Sequence, residues 1–137
     1  MSEHSLLLTT PPGNVDDVHD MLTSFWASEP SVTDADRMAF ETAIIELAAN
    51  VIQHADDGSG VTWRLTVSCT PEVLVAKLVD DGVRTGLIDG GHTLPDALAE
   101  SGRGLAFVEM LVDDIDRTSS PAGNELSISK RRSDARD

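Results

Sequence analysis

Glu46, Asn50 and His54 stand four residues apart within Phe40 to His54, a stretch that is otherwise almost wholly apolar. Steps of four put all three on one stripe of a helix. A carboxylate and a carboxamide are costly to bury unless they are paired or face a cleft. The stripe is therefore either a solvated face or the polar wall of a binding site. Two features downstream bear on that choice. Asp80-x-Gly82 stops an apolar run abruptly, and Gly102-x-Gly104 opens another. Each of the three is weak alone. Glu-x-x-x-Asn arises by chance in many helices, Asp-x-Gly is most often a turn, and Gly-Arg-Gly is an ordinary flexible entry to a helix.

The surrounding chain limits what such a site can bind. Over 137 residues the formal charge is −14. A surface this acidic repels phosphates, which argues against direct nucleic-acid binding and suits a basic partner. A phosphorylated ligand would need local devices: a helix N-terminus, backbone amides, a few arginines or a metal ion. His4, His19, His54 and His92 are scattered and suggest no zinc site. Cys69 is the only cysteine, so no internal disulfide forms, and it reads as a small core hydrophobe. No run is long enough to span a membrane, and the N-terminus has no signal-peptide pattern. A cytoplasmic protein without membrane association is expected.

The elements that must position these residues follow from periodicity. Ser5 to Thr10 reads as a first strand, ending at Pro11-Pro12-Gly13. Asn14 is the N-cap of a helix in which Val15, Val18, Met21, Leu22, Phe25 and Trp26 keep helical spacing. The aromatic pair reads as core. Thr33 or Asp34 precedes the long helix, Asp34 to His54. Phe40, Ile44, Leu47, Ala48 and Val51 form its apolar face, with Ala43, Ile45, Ala49 and Ile52 extending burial to most sides. Val61 to Cys69 alternates with period two. After Thr70-Pro71-Glu72, Val73 to Val79 completes an antiparallel hairpin. Val83 to Ser101 has no clear period and reads as a functional loop, with a helical turn possible near Asp96 to Glu100. Leu105 to Val112 is helical, Asp113 to Thr118 and Glu125 to Lys130 are strands, and Arg131 to Asp137 is a charged, frayed tail. Consecutive strands imply hairpins. The expected fold is α+β: one domain, residues 1–137, a two-layer sandwich of a mostly antiparallel mixed sheet with helices on one face.

Common phosphate and nucleophile motifs are missing. There is no Gly-x-x-x-x-Gly-Lys-Ser/Thr loop, Gly102-Arg103-Gly104 lacks the third glycine of a dinucleotide fingerprint, and no serine sits in a nucleophile elbow. The ordered set of Glu46-x-x-x-Asn50, Asp80-x-Gly82 and Gly102-x-Gly104 instead resembles the GHKL ATP-binding superfamily. That superfamily includes gyrase B, the heat-shock chaperone, histidine kinases and MutL-type proteins. Within it the short single-domain form resembles the bacterial anti-sigma factor serine kinases. The likeness spans about residues 5 to 131 and includes Glu46 through Ala55, Val79-Asp80-Asp81-Gly82, Gly102-Arg103-Gly104-Leu105, and Gly123 leading into a final strand with Lys130.

The resemblance implies ATP and Mg²⁺ as cofactors. Asn50 would give a side-chain oxygen to Mg²⁺. Glu46, one turn earlier, would act as general base near the γ-phosphate. Asp80 would accept a hydrogen bond from the adenine amino group, and Gly82 would let backbone approach the base. Gly102, Gly104 and the start of the helix at Leu105 would offer amides to the phosphates, and Arg103 would add positive charge. The segment 83–101 would be the ATP lid. His54 is expected to brace the end of the helix rather than to catalyse. Two positions depart from the family pattern. Arg84 replaces a second glycine of the aspartate box, and reaches a phosphate or stiffens the lid. Asn124 and Glu125 stand where threonines usually help hold adenine; Asn124 can still hydrogen-bond, and Glu125 must point away.

The implied function is an anti-sigma regulatory factor with protein-serine/threonine kinase activity. It would sequester a sigma factor and phosphorylate a STAS-type anti-sigma antagonist. The alternative is an ATP-binding regulatory module that acts by partner binding only, without phosphotransfer. Homodimers are common in the family. A histidine autokinase is not expected, because no dimerisation and phosphoacceptor domain precedes the ATP-binding unit.

Overall fold

The structure, a computed structural model, describes residues 2–10, 14–54, 61–80, 104–120 and 123–133. The elements among them are β1 (Ser2–Thr10), α1 (Val15–Ala27), α2 (Asp34–His54), β2 (Val61–Cys69), β3 (Val73–Asp80), α3 (Gly104–Leu111), β4 (Asp114–Ser120) and β5 (Gly123–Arg131). The fold is α+β, as expected. The strands form an open sheet in the order β1-β2-β3-β5-β4. The sequence pointed to a mostly antiparallel sheet; among the described strands every pairing is antiparallel. The lid expected over 83–101, with its helical turn, lies outside the described residues.

Alternation decides which face of the sheet carries the core. Trp63, Leu65, Val67 and Cys69 on β2 are buried while Arg64 between them is exposed. The register lines up the same face across the sheet. Leu65 stands opposite Leu6 on one side and Leu78 on the other, and Leu78 stands opposite Leu126. Together with Val18, Leu22 and Phe25 of α1 and Phe40, Ile44 and Leu47 of α2 they form one core. Each such side chain contributes about 1.5–3 kcal/mol by leaving water. The β2–β3 turn is closed by Thr70, whose hydroxyl accepts from the amides of Glu72 and Val73 at 3.2 and 3.1 Å.

Both helix starts carry the caps their sequences promised. The Asn14 side chain accepts from the Asp16 amide at 2.9 Å, and the Asp17 carboxylate accepts from the Asn14 amide at 3.0 Å, a reciprocal box worth about 1 kcal/mol. At α2 the choice falls on Thr33, whose hydroxyl accepts from the Asp36 amide at 3.2 Å. Phe25 and Trp26 are core residues, and the Trp26 indole donates to Glu41 at 2.8 Å. One expectation for α2 is corrected. Phe40, Ala43, Ile44, Leu47 and Ala48 are buried, but Ile45 is only half-buried and Ala49 is exposed. The helix covers one face of the sheet from outside, so its outer side stays open.

The charged tail also begins later than its composition suggests. Arg131 closes β5, and Arg132 is buried. Its guanidinium donates to the Thr70 carbonyl and the Ser31 hydroxyl, both at 2.9 Å, and to Cys69 Sγ at 3.3 Å. Ser133 donates from its amide and hydroxyl to the Asp36 carboxylate, at 2.7 and 3.0 Å. These partners lie up to 101 residues away in sequence, which is why local composition reads as fraying.

Cys69 is a core residue, as expected, at 1% exposure. Burial, joined by the nearby Glu29 carboxylate, pushes its thiol above the ordinary value of 9.0, with the Arg132 guanidinium opposing. The native protein therefore holds the thiol proton to higher pH than the unfolded chain. Stability from this group is present below pH 9.0 and is lost as pH rises through the raised native value. The stability difference between wild type and Cys69→Ala, read from urea midpoints, is expected to shrink between pH 8 and pH 10. A difference that does not change would show that the thiol stays protonated in both states or in neither.

Candidate functional site

The position of α2 along the sheet is set at its first turn. Asp36 is 3% exposed, lies 3.8 Å from Lys130 Nζ, and accepts both hydrogen bonds from Ser133. This ties the start of α2 to the end of β5. From there a helix advances about 1.5 Å per residue, so Glu46 lies about 15 Å and Asn50 about 21 Å along its axis. The six residues of β5 back from Lys130 to Asn124 cover about 20 Å. The rise from Asp36 to Asn50 is thus comparable in length to β5 from Lys130 back to Asn124.

At the end of β3 Asp80 and Asn124 stand directly opposite each other, and Asp80 also opposes Trp63. The three share one cross-strand row. Leu74, Ala76 and Leu78 are buried at the preceding alternate positions of β3, and Trp63 of this row is buried too. Asp80 is the last residue of β3 rather than the first of a turn. The end of the ladder holds its backbone in register on both sides.

α3 completes the arrangement. It packs against α2, with Val108 fully buried. Its far end leads through the Asp113 amide, which donates to the Ser129 carbonyl at 2.8 Å, to the same end of β5 as the Asp36 tether. Gly104 and Leu105 are its first two residues. The first amides of a helix lack intrahelical partners and carry the positive end of its dipole.

Of the expected site positions, Glu46 and Asn50 lie one turn apart on α2, Asp80 and Asn124 stand directly opposite each other at the end of β3, and Gly104 and Leu105 open α3. Gly82, Arg84, Gly102 and Arg103 lie outside the described residues. His54 is the last residue of α2. Glu46 is half-buried, and among the described residues none supplies its carboxylate with a hydrogen bond or an ion pair.

Glu125, the residue that had to point away, does so. It shares its row with Val79, and through Val79 with Arg64, on the face opposite the helices. The one-residue offset from Asn124 is sufficient, because alternate residues of a strand face opposite sides.

Among the described residues no three His, Cys, Asp or Glu side chains cluster as a metal cage. Mg²⁺ does not require one: it is held by one or two protein oxygens together with phosphate oxygens. A carboxamide such as that of Asn50 is a hard oxygen donor of the kind Mg²⁺ takes. A shallow groove of about 280 Å³ lined by Asp34, Arg37, Met38, Glu41 and Thr42 lies nearer the other end of α2. Arg37 there is already paired with Asp34 at 2.8 Å.

Two features escaped the residue patterns. Alternation put Trp63 on the core face, but nothing local says that it stands across from Asp80. The tether of Asp36 to Lys130 and Ser133 joins segments 97 residues apart and leaves no periodic signal. Among the described residues no helix is long and apolar enough to cross a membrane. The family model described as histidine kinase-like ATPase domain matches residues 8–130. Among curated proteins none matches the chain.

Proposed function

The chain belongs to the histidine kinase-like ATPase domain family, an ATP-binding family, and from that premise we propose that it is an anti-sigma regulatory factor with protein-serine/threonine kinase activity. Its substrate is a serine or threonine hydroxyl on a STAS-type anti-sigma antagonist, and it also sequesters a sigma factor. The observation that supports this reading is the cross-strand pairing of Asp80 with Asn124 at the end of β3, beside a long helix α2 that carries Glu46 and Asn50 one turn apart.

The roles follow from position. Asp80 accepts from the adenine amino group, which rejects guanine because guanine presents a carbonyl there. Asn124, directly across, supplies a second polar group to the base. The amides at Gly104 and Leu105, with Gly102 and Arg103 before them, receive the phosphates. Asn50 holds Mg²⁺, which when bound neutralises phosphate charge. Glu46 takes the proton from the incoming hydroxyl as its oxygen bonds to the γ-phosphorus and the bond to the ADP oxygen breaks. The half-buried Glu46 carboxylate, without a described partner, supports the base role. The charge of −14 supports a basic sigma-factor segment as the other partner. The protein is expected to act in the cytoplasm as a homodimer.

Arg84 favours a second reading, because it replaces a glycine of the family's aspartate box. In that reading the protein binds ATP and its partner without phosphotransfer. One experiment separates the two. The protein is incubated with γ-labelled ATP, Mg²⁺ and the STAS antagonist, and binding is followed in parallel by thermal shift. At ATP about 100 times its Kd, binding stabilises by roughly 2.7 kcal/mol. Label on the antagonist supports the kinase. A thermal shift without label supports the binding module, and neither result would sink both.

A further inference from the structure

The only buried aromatic residue in the cross-strand row of Asp80 is Trp63, at 2% exposure. Residues directly opposite in an antiparallel pair have Cβ atoms about 4.5–5.5 Å apart, close enough for a large side chain to shape its neighbour's surroundings. On its other side Trp63 stands opposite Leu8, a half-buried apolar residue. The row therefore passes from an apolar half, Leu8 and Trp63, to a polar half, Asp80 and Asn124. The boundary falls at the position read above as the adenine acceptor.

We propose that Trp63 is a positioning residue of the nucleotide site, which closes Asp80 off from water on the β2 side and fixes its approach to adenine. This rests on the nucleotide reading of the same site. An indole that is almost wholly buried presents a rigid apolar wall and excludes water from whatever stands beside it. A hydrogen bond made in such surroundings is stronger than one made in water, and its direction is better defined. The wall also allows the base only one polar edge on which to be read, so it contributes to discrimination between adenine and guanine. Across the remaining strand pair Asn124 is polar and cannot provide this. Trp63 is a positioning residue, not a catalytic one, because it acts through Asp80.

The chain contains two tryptophans, Trp63 and Trp26. Trp26 is tied to Glu41 at 2.8 Å, on the first-half side of α2 and away from the Asp80 row. This makes the proposal testable by emission. In Trp26→Phe the remaining fluorescence comes from Trp63. Titration with Mg-ATP is expected to change its emission saturably, with a midpoint equal to the Kd from calorimetry. In Trp63→Phe the same titration is expected to leave Trp26 emission flat. Trp63→Phe is also expected to weaken ATP binding several-fold and to narrow the ATP-over-GTP preference. Trp63→Ala weakens it further, so phenylalanine is a partial rescue. Far-UV circular dichroism identifies any variant that fails to fold, and the Trp26→Phe titration leaves Trp63 itself intact.

Two results would overturn the proposal alone: wild-type affinity and base preference in folded Trp63→Phe, or flat emission in Trp26→Phe while calorimetry shows binding. Absence of calorimetric binding by the wild type overturns the nucleotide reading and this inference with it.

Discussion

Glu46→Gln is expected to lower phosphotransfer about 100- to 10,000-fold, the range a positioned general base contributes, while ATP affinity stays within about threefold. Glutamine keeps the length and most of the shape of glutamate, so packing on α2 should survive. Among the described residues the carboxylate makes no hydrogen bond or ion pair, so its removal breaks none with them. What disappears is the capacity to hold a proton at that point. In free-energy terms the loss is about 2.7–5.4 kcal/mol in the barrier and close to nothing in binding. Single-turnover label transfer to the antagonist measures the first, and calorimetry with ATP the second. A transfer rate within threefold of wild type would show that the hydroxyl loses its proton without Glu46. A large fall in ATP affinity with little change in rate would place Glu46 in nucleotide binding instead.

The largest stability effect is expected at Asp36, far from that chemistry. Asp36→Ala should destabilise the fold by about 3 kcal/mol, the lower part of the range for breaking a buried pair from one side. The carboxylate is 3% exposed and accepts from the Ser133 amide and hydroxyl, with Lys130 Nζ at 3.8 Å. Alanine leaves the Ser133 donors and the Lys130 ammonium without it. The Lys130 side chain is 21% exposed and can partly rehydrate, which keeps the estimate at the lower end. At 2–4 °C per kcal/mol this corresponds to a fall in Tm of about 10 °C. Asp36→Asn should lose less, because its amide oxygen still accepts from Ser133. Urea unfolding of both variants gives the comparison. A loss below about 1 kcal/mol in Asp36→Ala would show that the contact is no more than a surface ion pair in its effect.

The distance between these two residues along α2 links their roles. Asp36 sets where the helix starts over the sheet, and Glu46 and Asn50 ride about three and four turns further on. Nothing at either position alone says how far apart the tether and the site should be. The rise from Asp36 to Asn50 and the length of β5 from Lys130 back to Asn124 are both about 20 Å.

Much of this was legible in the chain. α2 runs from Asp34 to His54, as its spacing predicts. The Val61–Cys69 alternation gave the strand and its buried face, and Asn14 its cap. Glu46 and Asn50 lie four apart on one helix, a relation internal to a single segment. Other readings needed the assembled fold. Which side of the sheet Glu125 faces depended on pairing, and the register of β5 with β3 puts it in the row of Val79 and Arg64. Arg132 and Ser133 looked like part of a frayed tail because their partners are Ser31, Asp36, Cys69 and Thr70.

The sequence by itself determined the elements, the α+β class, the apolar faces and the order of the three polar motifs. All of these are set by periods of 3.6 and 2 within single segments. Tertiary structure alone decided which residues meet: Asp80 between Trp63 and Asn124, and Asp36 against Lys130 and Ser133. Those pairings join segments that are remote in sequence. Their register is chosen by burial of the whole sheet face at once, and no local window records it.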